Sequence, residues 1–406
     1  MSKHITTTPK KQKRIYIPYM CDHSRMLAAA LRACGVEAEV LPFPDQESIE
    51  LGRRYSSGKE CLPMGITLGD FIKKIREPGF SPGDSTFFMP SADGPCRFGQ
   101  YASLQRLIFE ELGHKDVEIL SLNTIDSYGF ANNKSDSKTF KKLAWKGIVA
   151  VDTMEKALWY TRPYELNIGD TDKVYDESLK RIDETISAGN GHIEPILKDI
   201  LAKFKGIPVD RSRKRPVIGV IGEIFVRANK LSNQDIVRRI EEFGGEGYIS
   251  PISEWFMYTT YLFWKTALHD RKYLDFIKGK IEDLYQGRVE HNIASIFEGF
   301  VRAAHEPPME EIMSNCAPYL NCSAHSGEAV LGIGKAVDMI RNNKVSGIIN
   351  ILPFSCMPGL IVTAISKKIR EDHKAFPWLN IDYDGTAGGN IWTRLEAFLY
   401  QVKESA

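Results

Sequence analysis

The chain predicts an α/β protein: two doubly wound parallel-sheet, Rossmann-like domains with additional helical segments. Three observations carry this. Short apolar runs alternate with helical periodicity from Arg14 to about residue 130, and the alternation returns from Pro216 onward. Between them, residues 138–205 lose nearly every strand signal and show long amphipathic runs. The composition, 43% hydrophobic and 26% charged over 406 residues, is that of a globular chain long enough for two or three cores. The expected organisation is a disordered tail (1–13), an N-terminal α/β domain (14–137), a helical segment (138–209) and a C-terminal α/β domain (210–406) with a helical insertion near 253–306.

In chain order, Arg14 to Tyr19 reads as a strand. Met26 to Cys34 reads as a compact apolar helix that Gly35 stops, with Asp22 or Ser24 placed to cap it. Ala38 to Leu41 is the second strand of a βαβ opening. Gln46 to Tyr55 and Gly65 to Ile75 are helical, and Gly58 breaks the chain between them. Thr86 to Met89 is a strand, Gln100 to Leu112 a helix closed by Gly113, and Val117 to Leu120 the fourth strand. In the second half the strands are Val217 to Ile221, Tyr248 to Ser250, Ile348 to Leu352 and Leu379 to Tyr383. Helices fall at Gln234 to Phe243, Gly327 to Arg341, from about Leu360, and Asn390 to Val402. Asp210 to Arg215 reads as a solvated linker and Asp384-Gly385 as a turn.

The net charge is +1, which gives no electrostatic case for nucleic acid or an anionic membrane as partner. No run approaches the roughly 20 apolar residues of a bilayer span. Met1 to Arg14 is basic and polar without the apolar core of a secretory signal, so a cytoplasmic protein is expected. The seven cysteines therefore do not read as structural disulfides. They include no C-x-x-C, and the closest pair, Cys316 and Cys322, matches no zinc or ferredoxin spacing. Any shared centre must be assembled from distant loops.

Cys61, Cys96 and Cys356 share a setting. Each precedes a helix, has Pro or Gly within two residues and lies in a loop between α/β elements. Loops at the carboxyl ends of parallel strands are where open α/β sheets bind ligands. The free N–H groups of the following turn favour thiolate over thiol there. An iron–sulfur cluster and three separate buried cysteines both remain open readings of this trio. Cys21, Cys316 and Cys322 form a second trio that extends the first if it binds a cluster, while Cys34 reads as a small buried hydrophobe. His23 and His325 each lie near a candidate cysteine and could donate a proton to a reduced substrate; a histidine satisfied at a helix start is the plainer alternative. Glu223 and Arg227 read as a buried structural pair, and Glu60 and Arg97 as charges that could tune a cluster. Gly327 to Lys335 fails as a phosphate loop, because Ala329 and Ala336 stand where Gly and Ser or Thr are required. A site for ATP would have to lie on a partner.

The motifs Gly58-Lys59-Glu60-Cys61-Leu62-Pro63, Gly94-Pro95-Cys96-Arg97-Phe98-Gly99-Gln100-Tyr101 and Pro353-Phe354-Ser355-Cys356-Met357-Pro358-Gly359 resemble those of 2-hydroxyacyl-CoA dehydratase subunits and the related large activase-like proteins. Gly327 to Leu331, Gly334 to Ala336 and Gly222 to Arg227 strengthen the likeness, which covers the chain from about Arg14 onward. The resemblance implies a [4Fe–4S] cluster held between two α/β domains by Cys61, Cys96 and Cys356. The added Cys21, Cys316 and Cys322 resemble the double-cubane branch of that superfamily, which carries two [4Fe–4S] cubanes joined by a sulfide, an [8Fe–9S] centre. All six cysteines would then be ligands. It further implies a homodimer, a separate ATP-hydrolysing [4Fe–4S] reductase as electron donor, and small-molecule substrates. Two alternatives stand beside this: a single-cluster dehydratase subunit, and an electron-transfer scaffold without its own substrate site.

Overall fold

The computed structural model describes residues 13–92, 94, 96–121, 134–322, 327–386 and 390–405. The first half comprises β1 (Arg14–Ile17), α1 (His23–Ala33), β2 (Ala38–Val40), α2 (Gln46–Arg54), α3 (Leu62–Arg76), β3 (Ser85–Phe88), α4 (Tyr101–Glu111) and β4 (Glu118–Leu120). Its strands form one parallel sheet in the order β2-β1-β3-β4. Three helices follow: α5 (Lys134–Thr161), α6 (Asp170–Ser187) and α7 (Glu194–Lys205). The second half opens with β5 (Val217–Gly222), α8 (Ile224–Ala228), α9 (Ile236–Glu242), β6 (Glu246–Ile249), α10 (Ser253–His269) and α11 (Tyr273–Phe297). It closes with α12 (Met309–Cys316), α13 (Ala329–Arg341), β7 (Gly347–Pro353), α14 (Met357–Asp372), β8 (Trp378–Tyr383) and α15 (Ile391–Ser405). The second sheet is also parallel, in the order β6-β5-β7-β8. The α/β class with two Rossmann-like sheets is thus the observed architecture.

Local chemistry explains most boundaries. Every residue of β5 and β7 is buried, as expected of central parallel strands covered on both faces. A capping box opens α2: Asp45 accepts from the Ser48 amide at 3.1 Å, and Ser48 Oγ accepts from the Asp45 amide at 3.2 Å. Helix α3 starts at Leu62 rather than Gly65, because Pro63 sits in the first turn, where its missing N–H costs nothing. Helix α12 was not expected from the sequence. Pro307-Pro308 ahead of it and Ala317-Pro318 behind it mask a two-turn helix that ends on Cys316.

The buried core runs on from one half to the other. Met26, Ala29 and Ala30 of α1 pack with Ile148, Val151 and Met154 of α5, Ile182 and Ile186 of α6, and Ile200 and Phe204 of α7. The same apolar cluster continues into Ile218 and Ile348 of the second sheet. The opposite face of the first sheet is covered by α3 and α4, with Phe71 stacked on Phe87 at 4.3 Å. The halves also meet directly. Ile49, Ile66 and Phe225 form a small apolar contact with Met20 and Leu62. Arg53 donates to the Asp384 carbonyl at 2.7 Å, and Asn229 donates to the Tyr19 and Met20 carbonyls at 3.3 and 3.2 Å. Asp384 is in a turn as expected, its carboxylate accepting from the Thr386 amide at 2.7 Å. Among the described residues no helix is long and apolar enough to cross a membrane.

Candidate metal centre

The carboxyl ends of both sheets bear on this meeting line. Cys61 caps α3 at the turn from α2, and the turn is tight because the two helix backbones touch. A Cβ on Gly52 would fall 2.0 Å from the Gly65 carbonyl oxygen. The Cys61 thiol lies against the Tyr101 hydroxyl. Cys96 follows β3 and caps a single 3₁₀ turn, Arg97–Gln100, its sulfur accepting from the Phe98 amide at 3.5 Å. Cys356 follows β7 and caps α14. Its own amide donates to the Pro353 carbonyl at 3.0 Å, and Ser355 before it is held in the left-handed region at φ +60°. A non-glycine residue there stores local strain of order 1 kcal/mol, a common feature of binding loops.

One side chain joins these three loops. Arg97 donates to the Lys59 carbonyl at 2.5 Å, and to the Ser355 carbonyl and Oγ at 2.8 and 3.2 Å. Its guanidinium thereby ties the loop of Cys61 and the loop of Cys356 to Cys96, its own neighbour. Glu223, at the carboxyl end of β5, faces the same region while its carboxylate accepts from the Phe225 and Val226 amides at 3.1 and 2.8 Å. Phe354, Met357 and Leu360 are exposed at the rim.

The electrostatics reverse one expectation. Helix starts were expected to favour thiolate. Instead burial pushes the Cys96 thiol up to about 11, with Glu328, Glu223 and Cys61 adding to the rise and the Phe98 amide opposing it. Burial likewise raises Cys61 and, more strongly, Cys356, where Glu223 and Glu328 again add to the rise. Burial raises Glu328 itself to about 8 against the pull of Arg227. Enclosure and neighbouring acids therefore outweigh the helix-end donors. Burial thus favours the neutral form of all three thiols and of the neighbouring Glu223 and Glu328. A thiophilic metal bound there would have to displace the thiol protons. All seven cysteines are free, and among the described residues no three of them bring their sulfurs within 4.8 Å of one another.

The second trio divides. Cys316 ends α12, and burial together with the adjacent Cys322 raises its thiol well above the usual range. The Cys322 thiol donates to the Met313 and Leu320 carbonyls, both at 3.4 Å, and lines a shallow groove with residues 317–321. Cys21 is buried after β1, next to the ring of His23. That ring is 3% exposed, and its Nε2 lies 2.9 Å from Asp152 Oδ1. The Asp152 carboxylate is fixed by the amides of Ile252 and Ser253 at the start of α10, each at 2.9 Å. Burial disfavours a charged His23, but Cys21 and Asp152 outweigh it and hold the imidazole well above its ordinary value. Glu155 joins His23 and Asp152, so that one potential ligand atom from each lies within 4.8 Å of the others. His325 falls in 323–326, outside the described residues. Cys34 is half-buried against the core, its thiol donating to the Asp136 carbonyl at 3.5 Å, in keeping with a small buried hydrophobe.

No family model and no curated protein matches this chain.

Several residues of the site escaped the sequence. Asp152 lies 129 positions from His23, and its one signal is an acid directly after the apolar run Ile148 to Val151. Behind Glu223 stands a ladder of buried charges. Arg227 is 1% exposed, donates to the Gly222 and Pro251 carbonyls at 3.2 and 3.1 Å, and lies 4.0 Å from Glu254. Glu254 faces Lys335 at 3.5 Å, Lys335 pairs with Glu306, and Glu306 pairs with Lys156 at 2.5 Å. In place of the expected pair, the Glu223 carboxylate caps α8 and the ion-pair partner of Arg227 is Glu254, so that Arg227 acts on Glu223 only through its charge. Lys335, which failed as a phosphate-loop lysine, is a structural cation.

Proposed function

We propose that this chain is the substrate-reducing component of a low-potential reductase. It would carry an [8Fe–9S] double-cubane cluster on Cys21, Cys61, Cys96, Cys316, Cys322 and Cys356. The supporting observation is the tie made by Arg97, which links three cysteine loops from the two halves of the chain. When bound, the cluster supplies electrons at low potential, delivered by a separate ATP-hydrolysing [4Fe–4S] reductase. This chain's own residues hold, enclose and orient. The thiols deprotonate on metal binding, the Phe98 amide and Tyr101 hydroxyl point at sulfur, and Asp152 fixes the His23 ring as a proton donor beside Cys21. The substrates are small molecules, and the working form is a cytoplasmic homodimer.

A single-cluster reading, a [4Fe–4S] subunit of a 2-hydroxyacyl-CoA dehydratase, is favoured by a different observation. Arg97 links only the loops of Cys61, Cys96 and Cys356, while Cys316 and Cys322 engage each other and neighbouring carbonyls. Iron and sulfide content of anaerobically purified protein separates the two. About eight iron per chain is expected, falling to about four in Cys316→Ser and Cys322→Ser. Four iron in the parent and in both variants would establish the single cluster, and an iron-free protein would end both readings.

A further inference from the structure

We infer that His23, Asp152 and Glu155 form a binding site for a single divalent cation, built without any cysteine. Asp152 and Glu155 stand three apart on α5, so both carboxyl groups project from one face of that helix. His23 opens α1 and reaches that face through a close helix crossing. A Cβ on Gly147 of α5 would fall 2.7 Å from Met26 Cβ of α1, so only glycine lets the two helices approach this far. One ligand atom from each of the three residues then lies within 4.8 Å of the others.

Geometry and charge both suit an ion. Two ligands held about 2.1 Å from one ion at right angles stand about 3.0 Å apart. His23 Nε2 stands 2.9 Å from Asp152 Oδ1. The Asp152 carboxylate is presented by the Ile252 and Ser253 amides at 2.9 Å each, the outer support that ligating carboxylates receive. The half-buried Glu155 carboxyl has neither a hydrogen-bond nor an ion-pair partner among the described residues. His23 is 3% exposed, and its Nδ1 is buried without a hydrogen-bond partner. A structural pair of His23 with Asp152 accounts for neither loose end. An ion on Nε2 takes Glu155 as its third ligand and leaves Nδ1 to carry the ring's proton, in keeping with the donor role given to His23 above. Two carboxylates cancel the charge of one divalent ion, which suits a site this enclosed. One imidazole with two carboxylates selects first-row ions such as Mn²⁺, Fe²⁺ or Zn²⁺ over soft thiophilic ones. The inference does not depend on the iron–sulfur reading.

Mn²⁺ alone, titrated into the full chain without oxygen, tests it, because thiols hold this ion weakly. Loss of the free-ion EPR signal should report about one Mn²⁺ bound per chain. Glu155→Gln should weaken binding at least about tenfold with an unchanged far-UV circular dichroism spectrum. Cys21→Ser should bind as the parent does. A parent that binds no Mn²⁺ overturns the proposal, as does equal binding by the Glu155 variant or lost binding in the Cys21 variant. Should Glu155→Gln misfold, the parent decides alone. Electron spin-echo modulation from an imidazole nitrogen must then appear on the bound Mn²⁺, and its absence overturns the site. None of these measurements uses iron content, so a failure here and a failure of the cluster reading are told apart.

Discussion

Arg97 carries more of the site than its exposure suggests. A surface arginine ordinarily contributes little to stability, so Arg97→Met should lower it by no more than about 1 kcal/mol. The same change frees the loops of Cys61 and Cys356 from Cys96. Iron loss to a chelator from the loaded protein is expected to accelerate severalfold while the melting temperature barely moves. Asp70 behaves in the opposite way, since it is far from the cysteines and matters to stability. Burial pushes its carboxyl group up to about 7 from 3.8, with Ser48 Oγ donating at 2.5 Å as partial relief. Between those values the folded chain holds a proton that the unfolded chain has released, so stability falls as pH rises from about 4 to 7. Asp70→Asn should remove that decline, raising the melting temperature at pH 8 and leaving it nearly unchanged at pH 4. At this scale Cys61, Cys96 and Cys356 stood out because cysteine near Pro or Gly ahead of a helix is a local pattern, whereas Cys21, Cys316 and Cys322 carry no such mark. Asp152, Glu254 and Lys335 were not legible, because their partners lie far away in sequence.

Elements were easier to read where local chemistry sets them. Gly35, Gly58 and Gly113 stop or break helices where expected, each with positive φ. The hidden α12 and the early start of α3 show the limit. Proline reads as an interruption, yet it is accommodated in a first turn. Gly222 illustrates a constraint that no propensity shows. At φ +130° it ends β5 beside β7, where a Cβ would lie 1.8 Å from the Ile351 carbonyl oxygen. The turn also aims Glu223 at the cysteines. Gly222→Ala should cost more than about 3 kcal/mol, read in chemical denaturation, and should lower soluble yield.

Across the molecule, the helical segment and both sheets share one apolar cluster, and the charge ladder crosses it from α5 through α10 to α13. Lys335, 1% exposed, is the rung that touches two acids. Lys335→Met would leave Glu306 with one cation in place of two and Glu254 with Arg227 alone. Breaking a buried ion pair costs about 3–5 kcal/mol, so the denaturation midpoint should fall sharply, whereas a methionine at exposed Lys142 should leave it in place. The contact between Arg97 and Ser355 has a consequence for biogenesis. The two residues stand 258 positions apart, so on the ribosome Cys61 and Cys96 emerge long before the loop that completes their site. Through that interval the early cysteines are unguarded thiols on a half-made protein. A cluster held as proposed would therefore load only after translation of the second half, and a truncated first half would lack the loop that completes the site.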